Sequence, residues 1–159
     1  MSWFARAVYR ALVWQERQRA RRGRHGAPRR SGSAQGELPL HLENGRRGEN
    51  LAYWYLRQSG YTVIARNRRP RPGSGELDIV AWHGPVLAFV EVKTRTSLMA
   101  GPPEIAVSAL QKNRIARSAQ LFIRKLGRKE ISYRFDIVSV LWRPKSGFEM
   151  RLIKDAFKG

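Results

Sequence analysis

Residues 75–95 run GELDIVAWHGPVLAFVEVKTR. Two apolar runs flank His83, Gly84 and Pro85, a turn-forming group, so Glu76 to Trp82 and Val86 to Arg95 are expected to form two strands of a hairpin. In a strand, side chains alternate faces with period two. Glu76, Asp78, Val80 and Trp82 therefore share one face of the first strand. Leu87, Phe89, Glu91, Lys93 and Arg95 share one face of the second. An even-length turn brings Asp78 and Glu91 to the same face of the hairpin. A four-residue loop from His83 to Val86 sets them directly opposite, and a two-residue loop at His83-Gly84 shifts the register by two but keeps the face. An odd loop or a bulge separates them.

The neighbours of these carboxylates make them informative. Asp78 is followed by Ile79, Val80, Ala81 and Trp82, and Glu91 is preceded by a wholly apolar run from Val86 to Val90. A carboxylate among such residues is expensive to bury unless paired or bound to metal, and two side by side also repel. A divalent cation removes both penalties. Lys93 projects beside Glu91, and the main-chain carbonyl of Val92 is a further oxygen. Two acids and an ammonium suit phosphodiester hydrolysis. The metal activates water and stabilises charge on phosphate, and the lysine orients that water or neutralises the transition state. Glu49, in the first turn of an expected helix, is a third acid, either as a ligand or through water. The candidate catalytic set is thus Glu49, Asp78, Glu91 and Lys93, with Asp78, Glu91 and Glu49 toward metal. The plainer alternative is a surface sheet where Asp78 and Glu91 pair with Lys93 or an arginine.

Working outward, residues 46–58 read as a helix with Leu51, Ala52, Trp54, Tyr55 and Leu56 on a broad apolar face, stopped by Gly60. Tyr61 to Arg66 reads as a strand, followed by a basic Pro/Gly-rich loop to Ser74. After the hairpin, Pro102-Pro103 opens a helix from about Glu104 to Leu126, ended by Gly127. Tyr133 to Leu141 and Phe148 to Ile153 are the last strands. The order α-β-β-β-α-β-β implies an α/β protein with a mixed sheet flanked by helices.

The chain divides near residue 44. Residues 45–159 read as the globular domain, and residues 1–44 as a basic N-terminal extension. Phe4, Ala7, Val8, Ala11 and Leu12 recur there at helical spacing among Arg6, Arg10 and Arg17, which suggests a short amphipathic helix. It is suited to a membrane surface, to RNA or to the domain's own surface. The Arg-, Gly- and Ser-rich stretch that follows has too few apolar residues to offset its ordering entropy and reads as a linker.

The 159 residues carry 31 Lys and Arg against 12 Asp and Glu, a formal charge of +19. Such an excess bears on partners, and nucleic acid is the first polyanion to consider. An anionic membrane surface is the second. With no cysteine, disulfides and thiolate metal sites are excluded. His25, His41 and His83 are scattered, which disfavours zinc. A metal held by carboxylates favours Mg²⁺ or Mn²⁺. No apolar run approaches the roughly 18 residues of a membrane span, and Arg6 and Arg10 interrupt any signal-peptide core, so the cytoplasm is the expected location.

The segments Gly45 to Glu49, Gly75 to Val80, Phe89 to Arg95 and Arg134 to Val138 resemble the YraN family of small bacterial proteins. That family is similar to archaeal Holliday-junction resolvases and to the PD-(D/E)xK nuclease superfamily, with its restriction-endonuclease-like fold. The resemblance covers about Gly45 to the end, in the expected order and spacing. It implies Asp78, Glu91 and Lys93 as the core set and Glu49 as the helix acid. The superfamily's proline before the Asp is Leu77 here. The first 44 residues lie outside the match. Likeness to nucleases does not by itself establish cleavage.

A phosphate-contacting surface is also expected. Arg114, Arg117, Arg124, Lys125 and Arg128 gather on one side of the long helix, opposite Ile115, Ala116, Ala119, Phe122, Ile123 and Leu126. Lys112 falls on the apolar side, from where it either snorkels to solvent or reaches toward the active-site edge. Arg95 extends the carboxylate face. Arg66, Arg68, Arg69 and Arg71 precede the Asp78 strand and suit backbone contacts. Asp136 reads as a structural partner for an arginine. Three readings result: a metal-dependent, structure-selective endonuclease acting on DNA, with branched DNA a candidate substrate; a nucleic-acid-binding protein of the same fold without catalysis; and a basic protein held at a membrane by its N-terminal helix. Two-stranded cleavage would favour a homodimer.

Overall fold

The computed structural model describes residues 7, 9–11, 13–14, 40–95, 107–127, 130–143 and 147–159. Its elements are α1 (Leu40–Gln58), β1 (Thr62–Arg68), β2 (Leu77–His83), β3 (Val86–Arg95), α2 (Ala109–Lys125), β4 (Tyr133–Arg143) and β5 (Gly147–Phe157). The expected α-β-β-β-α-β-β order is the one observed. The five strands form one sheet in sequence order. Only β3 and β4 run parallel, joined by the crossover that carries α2; the other neighbours are antiparallel. The sheet is mixed and flanked by helices, compatible with a restriction-endonuclease-like fold.

Each face of the sheet is covered. Leu51, Ala52 and Leu56 of α1 pack on Ile79, Ala81, Ala88, Val90, Val138 and Val140. Ile115, Ala116 and Ala119 of α2 pack with Val80, Leu87, Phe89, Phe135 and Ile137 on the other side. Burial on both faces explains why residues 87–90 of β3 are uniformly apolar rather than alternating.

Several boundaries differ from expectation. α1 begins at Leu40, not residue 46, and runs through Gly45 and Gly48. A glycine inside a helix costs about 1 kcal/mol relative to alanine. At position 48 the reason is tertiary: a Cβ would lie 1.9 Å from Thr94 Oγ1, so only glycine lets α1 approach β3 so closely. α2 starts at Ala109, not near Glu104. Ser108 is its N-cap, with φ −60° and ψ 157°, and accepts the Gln111 N–H. Pro102 and Pro103, expected to open that helix, lie outside the described residues, as do Arg128 and residues 15–39.

β5 runs on to Phe157, past Ile153. Its register against β4 shifts between Phe135 and Ile137, where Asp155 takes φ 51°. The Asp155 N–H donates to Asp136 Oδ1 at 2.9 Å. Asp136, fully buried, has the arginine partner expected of it. Arg134 Nε donates to Oδ1 at 2.8 Å, and the Tyr61 hydroxyl donates to Oδ2 at 2.9 Å. Tyr9 belongs to a helical set near the N-terminus. Its ring centroid lies 6.0 Å from that of Tyr55, and its hydroxyl donates to Met150 Sδ at 3.6 Å, so this residue meets the domain's own surface. Among the described residues no helix is long and apolar enough to cross a membrane.

Candidate active site

The hairpin has an even turn. His83 pairs with Val86, leaving Gly84 and Pro85 as a two-residue connection. Gly84 has φ 60°, and proline holds its own φ near −65°; together they suit a type II′ turn, whose twist matches the strands. One register then runs from His83↔Val86 to Ile79↔Val90. Continued by one residue, it sets Asp78 opposite Glu91. At that point the strands part, and Asp78 Oδ2 accepts the Val92 N–H at 2.8 Å. The carboxylate occupies a donor that a continued ladder would have given to a carbonyl.

Beside it, Glu91 is only 7% exposed. Its Oε1 lies 2.9 Å from Lys93 Nζ. The same oxygen accepts from Gln111 Nε2 at 2.6 Å, and Lys93 Nζ donates to Gln111 Oε1 at 3.1 Å. Glu91, Lys93 and Gln111 thus close a three-membered ring of polar contacts between β3 and α2. The spacing of Glu91 and Lys93 announced their shared face. Gln111 did not stand out, because a polar residue near a helix start is ordinarily solvated. The Ser108-to-Gln111 spacing of a capping box marks the helix start, not a role at the site.

Burial pushes Asp78 up to about 7, with the Glu91 carboxylate the next cause and Glu49 a smaller one. The Val92 N–H and the Lys93 ammonium pull the other way without cancelling it. Asp78 is thus a buried acid with a second carboxylate beside it, and the nearby Lys93 offsets only part of the cost of its charge. Asp78 and Glu91 carry carboxylate oxygens, the donor type that a hard divalent ion takes.

Glu49 approaches from α1, on the other face of the sheet. Its Oε2 accepts from Asn67 Nδ2 at 2.8 Å. Asn67 takes φ 48°, a left-handed conformation that asparagine tolerates. Among the described residues no group of three or more His, Cys, Asp or Glu side chains closes on one point. Glu49 stands in the field of Asp78, while its carboxylate is engaged by Asn67.

The start of β2 is tied to α2. A Cβ on Gly75 would lie 3.2–3.3 Å from Arg114 and Ser118 atoms, and the Ser118 hydroxyl donates to the Gly75 carbonyl at 2.9 Å. Lys125 Nζ donates to the Pro70 carbonyl. These contacts bring the loop before β2 against α2, whose exposed side carries Arg114, Arg117 and Arg124. Arg68 is exposed at the end of β1, where that loop begins. Arg69 forks onto Glu76 at 2.7 Å, a surface pair. Arg95 closes β3, two residues beyond Lys93. Lys112 does not turn to the carboxylates: its Nζ lies 5.7 Å from the Phe157 ring centroid. One residue along a helix is a 100° rotation, so when Gln111 faces the site its neighbour cannot.

The chain is a mixed α/β protein whose helix-flanked five-stranded sheet is compatible with a restriction-endonuclease-like fold. Residues 48–140 match the model of the family described as Uncharacterised protein family UPF0102, and the chain belongs to that family. It is 46% identical over 120 residues to a UPF0102 protein of Koribacter versatilis, covering 75% of this chain and 82% of that one. Against the Solibacter usitatus UPF0102 protein it is 51% identical over 98 residues, 62% and 74% of the two chains. A Symbiobacterium thermophilum relative is 46% identical over 113 residues, 71% and 94%. The YraN-like resemblance is borne out. The matched span includes Glu49, Asp78, Glu91, Lys93 and Gln111.

Proposed function

We propose that this protein is a metal-dependent endonuclease that hydrolyses phosphodiester bonds in DNA, branched DNA included. The observation that carries the reading is the junction of β2 and β3. There Asp78, held by the Val92 N–H, lies beside a buried Glu91 with Lys93 2.9 Å from it. Asp78 and Glu91 would hold Mg²⁺ or Mn²⁺, with Glu49 acting through water from α1. When bound, such an ion polarises the phosphate and activates water. The chain supplies the rest. Lys93 presents an ammonium that can hold the attacking water or offset charge on the phosphate oxygens. Gln111 limits where that ammonium can go. Arg68, Arg95, Arg114, Arg117 and Arg124 would engage the backbone of the nucleic acid, a contact set that positions without reading sequence. Arg69 joins them on release from Glu76, and Lys112 is the weakest member because it lies on Phe157.

The test is cleavage of linear, flapped and four-way DNA by the purified chain with Mg²⁺ or Mn²⁺, beside Asp78→Ala and Lys93→Ala. Cleavage that needs metal and fails in both variants supports the reading. Equal cleavage by all three, or none by any, contradicts it. Salt-sensitive binding without cleavage would point to the second reading, a nucleic-acid-binding protein of the same fold.

A further inference from the structure

Gln111 sits at the third position of α2, after its Ser108 cap. In a capping box this side chain turns back to the N-cap N–H. Here only half of that exchange is made. Ser108 Oγ accepts the Gln111 N–H at 3.2 Å, but the Gln111 amide points away, to Glu91 and Lys93. The amide gives its N–H to one and its carbonyl to the other, which fixes its orientation.

Gln111 Nε2 donates to Glu91 Oε1, and the Lys93 ammonium lies 2.9 Å from the same oxygen. A carboxylate held through one oxygen by an amide and an ammonium presents a cation chiefly with its other oxygen. That matters for which ion is accepted. Ca²⁺ takes six to eight oxygens and readily uses carboxylates through both, whereas Mg²⁺ wants about six in strict octahedral array and is content with single oxygens and water.

Building on the metal reading above, we propose that Gln111 is a positioning residue that keeps Glu91 a one-oxygen ligand and so biases the site toward Mg²⁺ over Ca²⁺. Removing the amide frees half of the hold on Oε1, lets Glu91 present both oxygens, and favours the larger ion. Partners behind a metal ligand alter affinity by about 10–100-fold when lost, so a change of about tenfold in the preference is expected.

The experiment is calorimetric titration of the full chain with MgCl₂ and, separately, CaCl₂, for the parent, Gln111→Met and Gln111→Ala. Methionine approximates the shape of glutamine without its amide. The expected result is that the Ca²⁺ to Mg²⁺ ratio of dissociation constants falls about tenfold in both variants. A variant that merely loosens α2 weakens both ions alike and leaves the ratio unchanged, which overturns the proposal while the metal reading stands. A parent that takes up neither ion overturns both.

Discussion

Asp78 Oδ2 accepts the Val92 N–H at 2.8 Å where β2 leaves β3, opposite a Glu91 that is 7% exposed. The bond orients the acid but does not compensate its burial, and Asp78 is raised from 3.8 to about 7. A group held above its unfolded value binds protons more tightly in the folded state. Its contribution to stability is greatest below pH 4 and is lost as pH rises from about 4 to about 7, by on the order of 4 kcal/mol at most. Asp78→Asn removes that loss while keeping an acceptor for Val92. In EDTA the variant should melt with the parent at pH 4 and several degrees above it at pH 8. Calorimetry at both pH values checks this, and a parent that is the more stable at pH 8 would contradict it.

Metal should act in the opposite direction on the parent. On the proposed function the charged carboxylates of the folded state hold a divalent ion, so millimolar MnCl₂ should raise the melting temperature of the parent at pH 8 and leave Asp78→Asn nearly unmoved. Thermal scans with and without the ion measure both.

Lys93 is expected to matter for turnover more than for binding. Lys93→Met should lower kcat by about 10²–10³-fold, as for loss of a charge-stabilising donor, while the affinity for DNA changes little. Single-turnover cleavage together with a binding isotherm separates the two.

The fit of α1 against β3 is tested at Gly48. Gly48→Ala sets a methyl 1.9 Å from Thr94 Oγ1, and overpacking of this kind costs about 1–3 kcal/mol. Thr94→Ala in the same chain should recover part of the loss. Denaturant unfolding of the three variants reads the effect.

Asp136 offers the contrasting case of a buried acid with all its partners. Asp136→Ala removes the acceptor of Arg134 Nε, the Tyr61 hydroxyl and the Asp155 N–H, and should cost about 3–5 kcal/mol, with metal affinity unchanged in the folded fraction. Unfolding curves and metal titration distinguish this from a loss at the site.

What could be foreseen in the residues was what is local. The hairpin followed from period two and from Gly84-Pro85, and with it the facing of Asp78 and Glu91. The arginine partner of Asp136 followed from an acid in an apolar strand. What escaped depended on distant contacts. Gly45 looks like the boundary of a helix that in fact begins at Leu40, and the need for glycine at position 48, inside the expected helix, shows only once Thr94 is placed against it. Lys154 and Asp155 hid the end of β5, because the bulge around them breaks the alternation. Gln111 was invisible as a site residue because its partners lie on another element, and Lys112 drew attention in its place.

The most direct measurement is anomalous diffraction from a crystal of the full chain soaked in MnCl₂. A carboxylate-held cation predicts a manganese peak in contact with Asp78 and Glu91, absent from an Asp78→Ala crystal. No manganese at these two carboxylates, or an unchanged peak in the variant, would contradict the assignment of this site.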